Sequence, residues 1–156
     1  MNFKKTTPFL LFIIFIVFIT VIIFITSCFA RNGYIQVLVA NQPLWVKLAK
    51  TEEERIRGLS GVKSLAENEG RLFILPQKQQ PIFWMKDMNF PLDFIWIEAG
   101  KVVDLTENAP APSPDTPDWQ LIRYQPKQPV DMVLEVNSGW AKKSNLKIGA
   151  SFSLNY

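Results

Sequence analysis

The chain has no histidine and only one cysteine in 156 residues. Without histidine, Ser-His-Asp and Cys-His nucleophile systems are excluded, as is every imidazole-ligated metal centre. A lone Cys28 excludes an intrachain disulfide. Glycine is sparse, at seven residues against eleven prolines, so this is no low-complexity or collagen-like chain. A strong charge of one sign is missing too. The formal net charge is +3, and Lys4 and Lys5 are the only charged residues before Arg31; from there on, fifteen basic residues face fourteen acidic ones. That balance supplies no basic stripe for a polyanion, so no nucleic-acid partner is expected. What remains available for chemistry is carboxylate, lysine, arginine, tyrosine and hydroxyl groups.

What is present is a long apolar run. Residues 6 to 30 carry no charge, and Phe9 to Ser27 is almost entirely Phe, Ile, Leu and Val. Nineteen helical residues at about 1.5 Å each span roughly 28 Å, close to the hydrocarbon core of a bilayer. Lys4 and Lys5 before the run predict a cytoplasmic N-terminus with the remainder facing outward. Three forms are open: an uncleaved signal anchor, a lipoprotein, and a cleaved signal peptide, whose apolar core is usually only about 7–15 residues. Ile25-Thr26-Ser27-Cys28 is similar to a lipobox, which makes Cys28 the candidate for lipidation. The expected organisation is a membrane anchor or lipoprotein-type signal over 1–30 and an exported domain over 31–156. The membrane is then a partner through residues 9–27.

The exported part alternates short apolar segments with turns. Tyr34–Val39 and Leu44–Leu48 are expected strands around Asn41-Gln42-Pro43. Thr51-Glu52-Glu53-Glu54 is a capping box, with Thr51 as N-cap and acids in the first turn of a helix that stops near Gly58. Arg71–Leu75 is an expected strand ending at Pro76. Glu107–Asp118 contains four prolines, which forbid a regular ladder and predict an extended loop. Trp119–Tyr124 and Met132–Val136 return to strand character, with Glu135 on the face of Val133. Asn137–Lys143 is a second short helix capped by Asn137 or Ser138, and Ser151–Leu154 a last strand. The predicted fold is mainly β, a small barrel or sandwich with two short helices.

The densest stretch is Phe83 to Ile97. Asn89-Phe90-Pro91 is a turn signal between two β-rich arms, predicting a hairpin in which Phe83 faces Trp96, Trp84 faces Ile95 and Lys86 faces Asp93. Alternation then assigns Phe83, Met85, Leu92, Phe94 and Trp96 to the core. Trp84, Lys86 and Asp93 share the other face. A turn at Glu98–Lys101 and a strand Val102–Thr106, with Ile97 opposite Val102, bring Asp104 and Thr106 to that face, with Asn108 on its rim. A one-residue slip exchanges the faces of an arm.

The segments Thr51–Leu59, Glu69–Phe73, Phe83–Lys86, Pro91–Asp93, Glu107–Pro110 and Leu134–Ala141, in this order and spacing, resemble domain-of-unknown-function family 192 over about residues 35–155. Asp87-Met88 stands where Asn-Thr is usual and Leu59 where Met is frequent. The resemblance implies a compact, mostly β domain and no established reaction.

The functional expectation is therefore a tethered envelope domain that binds a small polar, carbohydrate-like ligand through Trp84, Lys86, Asp93, Asp104, Thr106 and Asn108. An indole face offers stacking and charged groups orient polar ones. The opposing reading makes Trp84 core and Lys86–Asp93 a plain cross-strand ion pair. Two other classes stay open. One is a structural or protein-interaction role. The other is a glycoside hydrolase using Asp93 and Asp104, whose diagonal positions lie about 7–8 Å apart. Binding is favoured over catalysis. No catalytic residue, cofactor or metal site is assigned, since Asp87, Asp93, Asp104 and Glu107 follow no calcium-loop spacing.

Overall fold

The computed structural model describes residues 12–16 and 33–155. Residues 12–16 are helical with exposed side chains. Most of the expected anchor, and Cys28, lie outside the described residues. Among the described residues no helix is long and apolar enough to cross a membrane. Residues 33–156 form a compact unit of their own.

That unit is mainly β, as its composition and turn spacing predict. A seven-stranded sheet has the order β6-β5-β8-β3-β2-β1-β9. Its strands are β1 (Tyr34–Val39), β2 (Gln42–Ala49), β3 (Glu69–Gln79), β5 (Leu92–Glu98), β6 (Lys101–Ala109), β8 (Val130–Asn137) and β9 (Phe152–Asn155). A two-stranded ribbon pairs β4 (Phe83–Trp84) with β7 (Arg123–Tyr124). All contacts of the large sheet are antiparallel except β2 with β3, which are joined by helix α1 (Glu52–Arg57). The sheet curls: Lys101 at the start of β6 bridges Ser151 just before β9, so its two edge strands meet at one end.

Alternation gives the curled sheet two apolar faces. The inner face carries Val37, Leu44, Val46, Leu72, Ile95, Leu134 and Val136, closed by Trp140, Ala141 and Phe152. The outer face carries Phe73, Phe94, Trp96 and Val133, and on it pack Leu59, Met85 and Met88. The β4–β7 ribbon lies over this second core. Phe83 meets Phe73, Phe94 and Trp96 at ring-centroid distances of 4.9, 5.7 and 5.6 Å, all edge-on. Such pairs contribute about 0.5–1.5 kcal/mol each beyond area burial.

Helix α1 is built as expected. Thr51 Oγ1 accepts from the Glu54 backbone N–H, and the Glu54 carboxylate accepts from the Thr51 N–H. The second helix, α2 (Trp140–Lys143), differs from expectation. Its N-cap is Gly139, which has no side chain to offer. Asn137 donates instead to the Leu65 and Ala66 carbonyls, and Ser138 to the Asn108 side chain. Three strand limits also move. β3 continues through Pro76 to Gln79, with a register shift against β8 between Ile74 and Gln79. β6 runs to Ala109. Trp119–Tyr124 is no single strand; Asp118–Gln120 is a 3₁₀ turn, and only Arg123–Tyr124 pair.

The predicted Phe83–Ile97 hairpin does not form. Both edges of β5 are taken, by β6 on one side and β8 on the other. Beyond the Asn89–Pro91 bend the chain therefore has no free edge to return to. Phe83 and Trp84 pair with Tyr124 and Arg123 instead. The core assignment survives this change: Met85, Leu92, Phe94 and Trp96 are all buried.

Candidate functional site

Between α1, the far half of β3 and residues 79–84 lies a cleft with a cavity volume of about 250 Å³. Leu59, Phe73, Leu75, Phe83 and Met88 make its walls apolar. Local rules fix the near wall. Arg55 donates to the carbonyls of Lys50 and Ile74, which lashes α1 to β3. Gly58 ends α1 at φ +48°, and a Cβ there would come within 3.2 Å of the Phe73 ring. Ile56, Ile82 and Trp84 form an apolar mouth, 74%, 64% and 39% exposed.

Glu135 also lines this cleft. It lies on β8 opposite Arg71 of β3 and Phe94 of β5, on the same sheet face as Phe73 and Val133. The residue is 5% exposed, and its Oε2 has no hydrogen-bond partner among the described residues; neither has the Arg71 Nε. Burial pushes the Glu135 carboxyl up to about 8, against the opposing charge of Arg71. At neutral pH it is therefore mostly the uncharged acid, which donates as well as accepts. A buried polar atom left unpaired costs about 1–3 kcal/mol. Glu135 is the buried polar residue of a cleft whose other polar lining residues are Glu52, Arg55 and Gln79.

A second recess, of about 480 Å³, lies between the Lys86–Asn89 turn and the proline-rich loop. Two of its three charged residues are matched at the surface, where Lys86 Nζ meets Asp118 Oδ2 at 2.5 Å, and the third is Asp87. This contact, first through its hydrogen bond, holds the Lys86 ammonium above its usual pKa. Trp84 adjoins this pair. Its ring takes the Arg123 guanidinium at 4.1 Å and Lys86 Nζ at 5.5 Å. Among the described residues, no cluster of three or more His, Cys, Asp or Glu side chains is arranged to hold a metal ion.

The match to a family model spans residues 35–154, nearly the whole of this unit. The chain belongs to domain-of-unknown-function family 192, described as an uncharacterised ACR. Comparison with curated proteins finds no match. Two solved structures are similar to this chain in fold. One, from Sinorhizobium meliloti 1021, is described as a candidate transcription regulator; it is 27% identical, with a TM-score of 0.65 over 78% of this chain and 92% of its own. The other, a protein of unknown function from Novosphingobium aromaticivorans DSM 12444, is 25% identical, with a TM-score of 0.68 over 77% of this chain and 84% of its own. The matched region is nearly the whole of the first of these chains.

Within this family 192 fold the six residues expected to share a patch are dispersed. Trp84 and Lys86 are at the surface beside Asp118 and Arg123. Asp93 is fully buried on the inner face, where its oxygens accept from the Asn108 N–H at 2.9 Å and the Ala141 N–H at 3.0 Å. Asn108, at φ +56°, bonds Ser138 through its side-chain oxygen. Asp104 is buried against Lys127, accepting from its backbone N–H at 3.0 Å. Thr106 accepts from the Trp96 indole N–H at 3.0 Å.

The Lys86–Asp93 pairing is thus replaced by Lys86–Asp118. The proposed Asp93/Asp104 pair is also lost, for a specific reason. Ile97 does face Val102, but a bulge follows between Trp96 and Ile97, so Asp104 falls opposite Trp96 and shares the outer face. Asp93 stays with Ile95 on the inner one, so the two carboxylates cannot flank one bond. In the sequence pattern Glu135 shares the face of Val133, which by itself does not mark it as a site residue. The available signal was a lone carboxylate inside the apolar run Met132–Val136, a group that stays buried only when paired or neutral.

Proposed function

We propose that this domain is a ligand-binding module whose site is the Glu135 cleft. One observation carries the reading: a fully buried carboxyl oxygen without a partner, at an apolar cavity whose mouth is ringed by exposed Ile56, Ile82 and Trp84. Pockets of this composition, apolar with a few convergent polar groups, are the usual form of small-molecule sites. The cavity lies below the roughly 300–1,000 Å³ of drug-sized sites, so the occupant is a small molecule or the end of a longer one. It is mostly apolar with a single polar group, because Glu135 is the one buried polar residue among those lining the cleft, Glu52, Arg55 and Gln79 being more exposed.

The polar, carbohydrate-like ligand expected from the sequence fits less well. It relied on Trp84, Lys86 and Asp93 acting together, and Asp93 is spent on backbone N–H groups. Trp84 remains available as a stacking rim. The regulator description of the S. meliloti protein finds no support in the charge of this domain, fifteen basic residues against fourteen acidic. The tether outside the cytoplasmic membrane through residues 9–27 belongs to the same proposal, supported by Lys4, Lys5 and the uncharged run after them. Protease added to intact spheroplasts should digest the domain; full protection would overturn the outward placement.

Binding is tested by ligand-observed NMR with the 33–156 domain and a library of small amphipathic fragments. Hits should be lost in Leu75→Trp, which fills the cleft from a half-buried position, with the circular dichroism spectrum unchanged. An absence of hits, or hits indifferent to Leu75→Trp, would overturn the reading.

A further inference from the structure

We propose, resting on the cleft reading above, that the ligand's buried head is an uncharged carbonyl (amide, ketone or ester) that accepts a hydrogen bond from the Glu135 carboxyl. Three head groups compete for an unpaired carboxyl in an apolar cleft, and the charged groups around Glu135 discriminate among them. From β3, Arg71 lies directly across the strand pair and acts on Glu135 as a cation. From α1, Glu52 and Arg55 line the cleft, and Glu54 feels Arg71. On β8 itself, Asp131 is turned to the Ala99 N–H. β5 contributes Phe94, and Gln79, residues 81–84 and Met88 line the cleft with no titratable group.

An ammonium head would need Glu135 ionised and would lie beside Arg71, a like charge. A carboxylate head would lose its water in an apolar cleft whose near side carries Glu52. Arg55, the one cation among the lining residues, is committed to the Lys50 and Ile74 carbonyls, and Arg71 lies across the strand pair without lining the cleft. A neutral carbonyl meets neither penalty. It needs one donor, and Glu135 is that donor while it keeps its proton, which burial makes it do up to a pH of about 8. The carbonyl also relieves the unpaired Oε2, so a head of this type gains more than an equally apolar molecule without one.

Three probes with one ring and different heads test the assignment: phenylacetamide, phenethylamine and phenylacetate, titrated by NMR into the 33–156 domain from pH 6 to 9.5. Phenylacetamide should bind tightest, with affinity level to about pH 8 and then falling toward about tenfold per pH unit. Glu135→Gln keeps a donor in the carboxamide, so it should retain phenylacetamide binding and lose the pH dependence. Tightest binding by phenethylamine or phenylacetate, or a pH-independent amide affinity in the parent protein, would overturn the head-group assignment and leave the cleft standing. Failure of all three probes, with Leu75→Trp indistinguishable from the parent, would remove the cleft reading and this inference together.

Discussion

The Asp93 carboxylate on β5 accepts the backbone N–H of Ala141 at 3.0 Å, forty-eight residues further along, and so caps helix α2 from another element. Gly139 leaves the N-terminus of α2 without a side-chain cap of its own. The second Asp93 oxygen takes the Asn108 N–H at 2.9 Å, holding the left-handed residue near the end of β6. This aspartate therefore ties β5, β6 and α2 together at the closed core.

Asp93→Ala should unfold the domain more readily without touching the cleft. The buried Ala141 N–H, at about 1–3 kcal/mol, and the part-buried Asn108 N–H, at less, would lose their acceptor. The expected loss is about 2–5 kcal/mol by urea denaturation. A loss below about 1 kcal/mol would show that these bonds are replaceable. Asp93→Asn should fall between, because its carboxamide keeps one acceptor and turns a donor toward the other N–H.

The sequence revealed local and face-level features more readily than long-range ones. The Thr51–Glu54 box is complete within four residues, so its pattern is sufficient. Burial of Met85, Leu92, Phe94 and Trp96 follows from alternation and holds whichever strand lies alongside. Partner choice is another matter. Trp84 pairs with Arg123, thirty-nine residues away, across a proline-rich loop whose path no local rule sets. The bulge at Trp96 moves Asp104 to the other face with no glycine or proline to announce it. Glu135 depends on both levels: alternation places it on the face of Val133, but only the packing of α1 and β4 over that face buries its carboxyl.

Gly70→Ala should destabilise the domain by about 1–3 kcal/mol, the usual cost of overpacking. Gly70 pairs with Val136 and lets β3 approach β8 closely. A Cβ would lie 2.8 Å from the Glu135 carbonyl oxygen and 3.1 Å from Leu134. Backbone must move to relieve the first contact. Because that backbone carries Glu135, the shift should also appear in the amide resonances of residues around the cleft. An unchanged unfolding midpoint would show that the sheet yields at no cost.

Trp84→Ala should leave the fold intact and weaken fragment binding. The indole is 39% exposed and its ring covers Arg123, a contact worth about 0.5–1 kcal/mol at exposed sites. Phe83, not Trp84, joins the aromatic core, so stability should fall by about 1 kcal/mol at most. Loss of the apolar rim should raise fragment dissociation constants several-fold. Equal affinities in the two proteins would place the ligand away from the mouth.

Stability should fall as pH rises between about 4.5 and 8, and Glu135→Gln should remove that fall. An unfolded glutamic acid releases its proton near its ordinary value of 4.5, while the folded Glu135 holds it to about 8. Between these values the folded state binds a proton that the unfolded state lacks, so each unit of rising pH favours unfolding, by up to about 1.4 kcal/mol. Below 4.5 both states are protonated and the contribution is fully present; above 8 both are ionised and the loss is complete. Other shifted groups lie outside this window. The Glu53, Glu54 and Glu67 carboxyls are held below 4.5, while Tyr124 and Lys86 are raised beyond 10. Urea midpoints at pH 5, 7 and 9 should therefore decline in the parent and stay nearly level in Glu135→Gln, whose carboxamide cannot ionise. The variant should be close to the parent at pH 5 and clearly more stable at pH 9. Parallel curves would mean that Glu135 titrates alike in both states and that its carboxyl is not buried in solution.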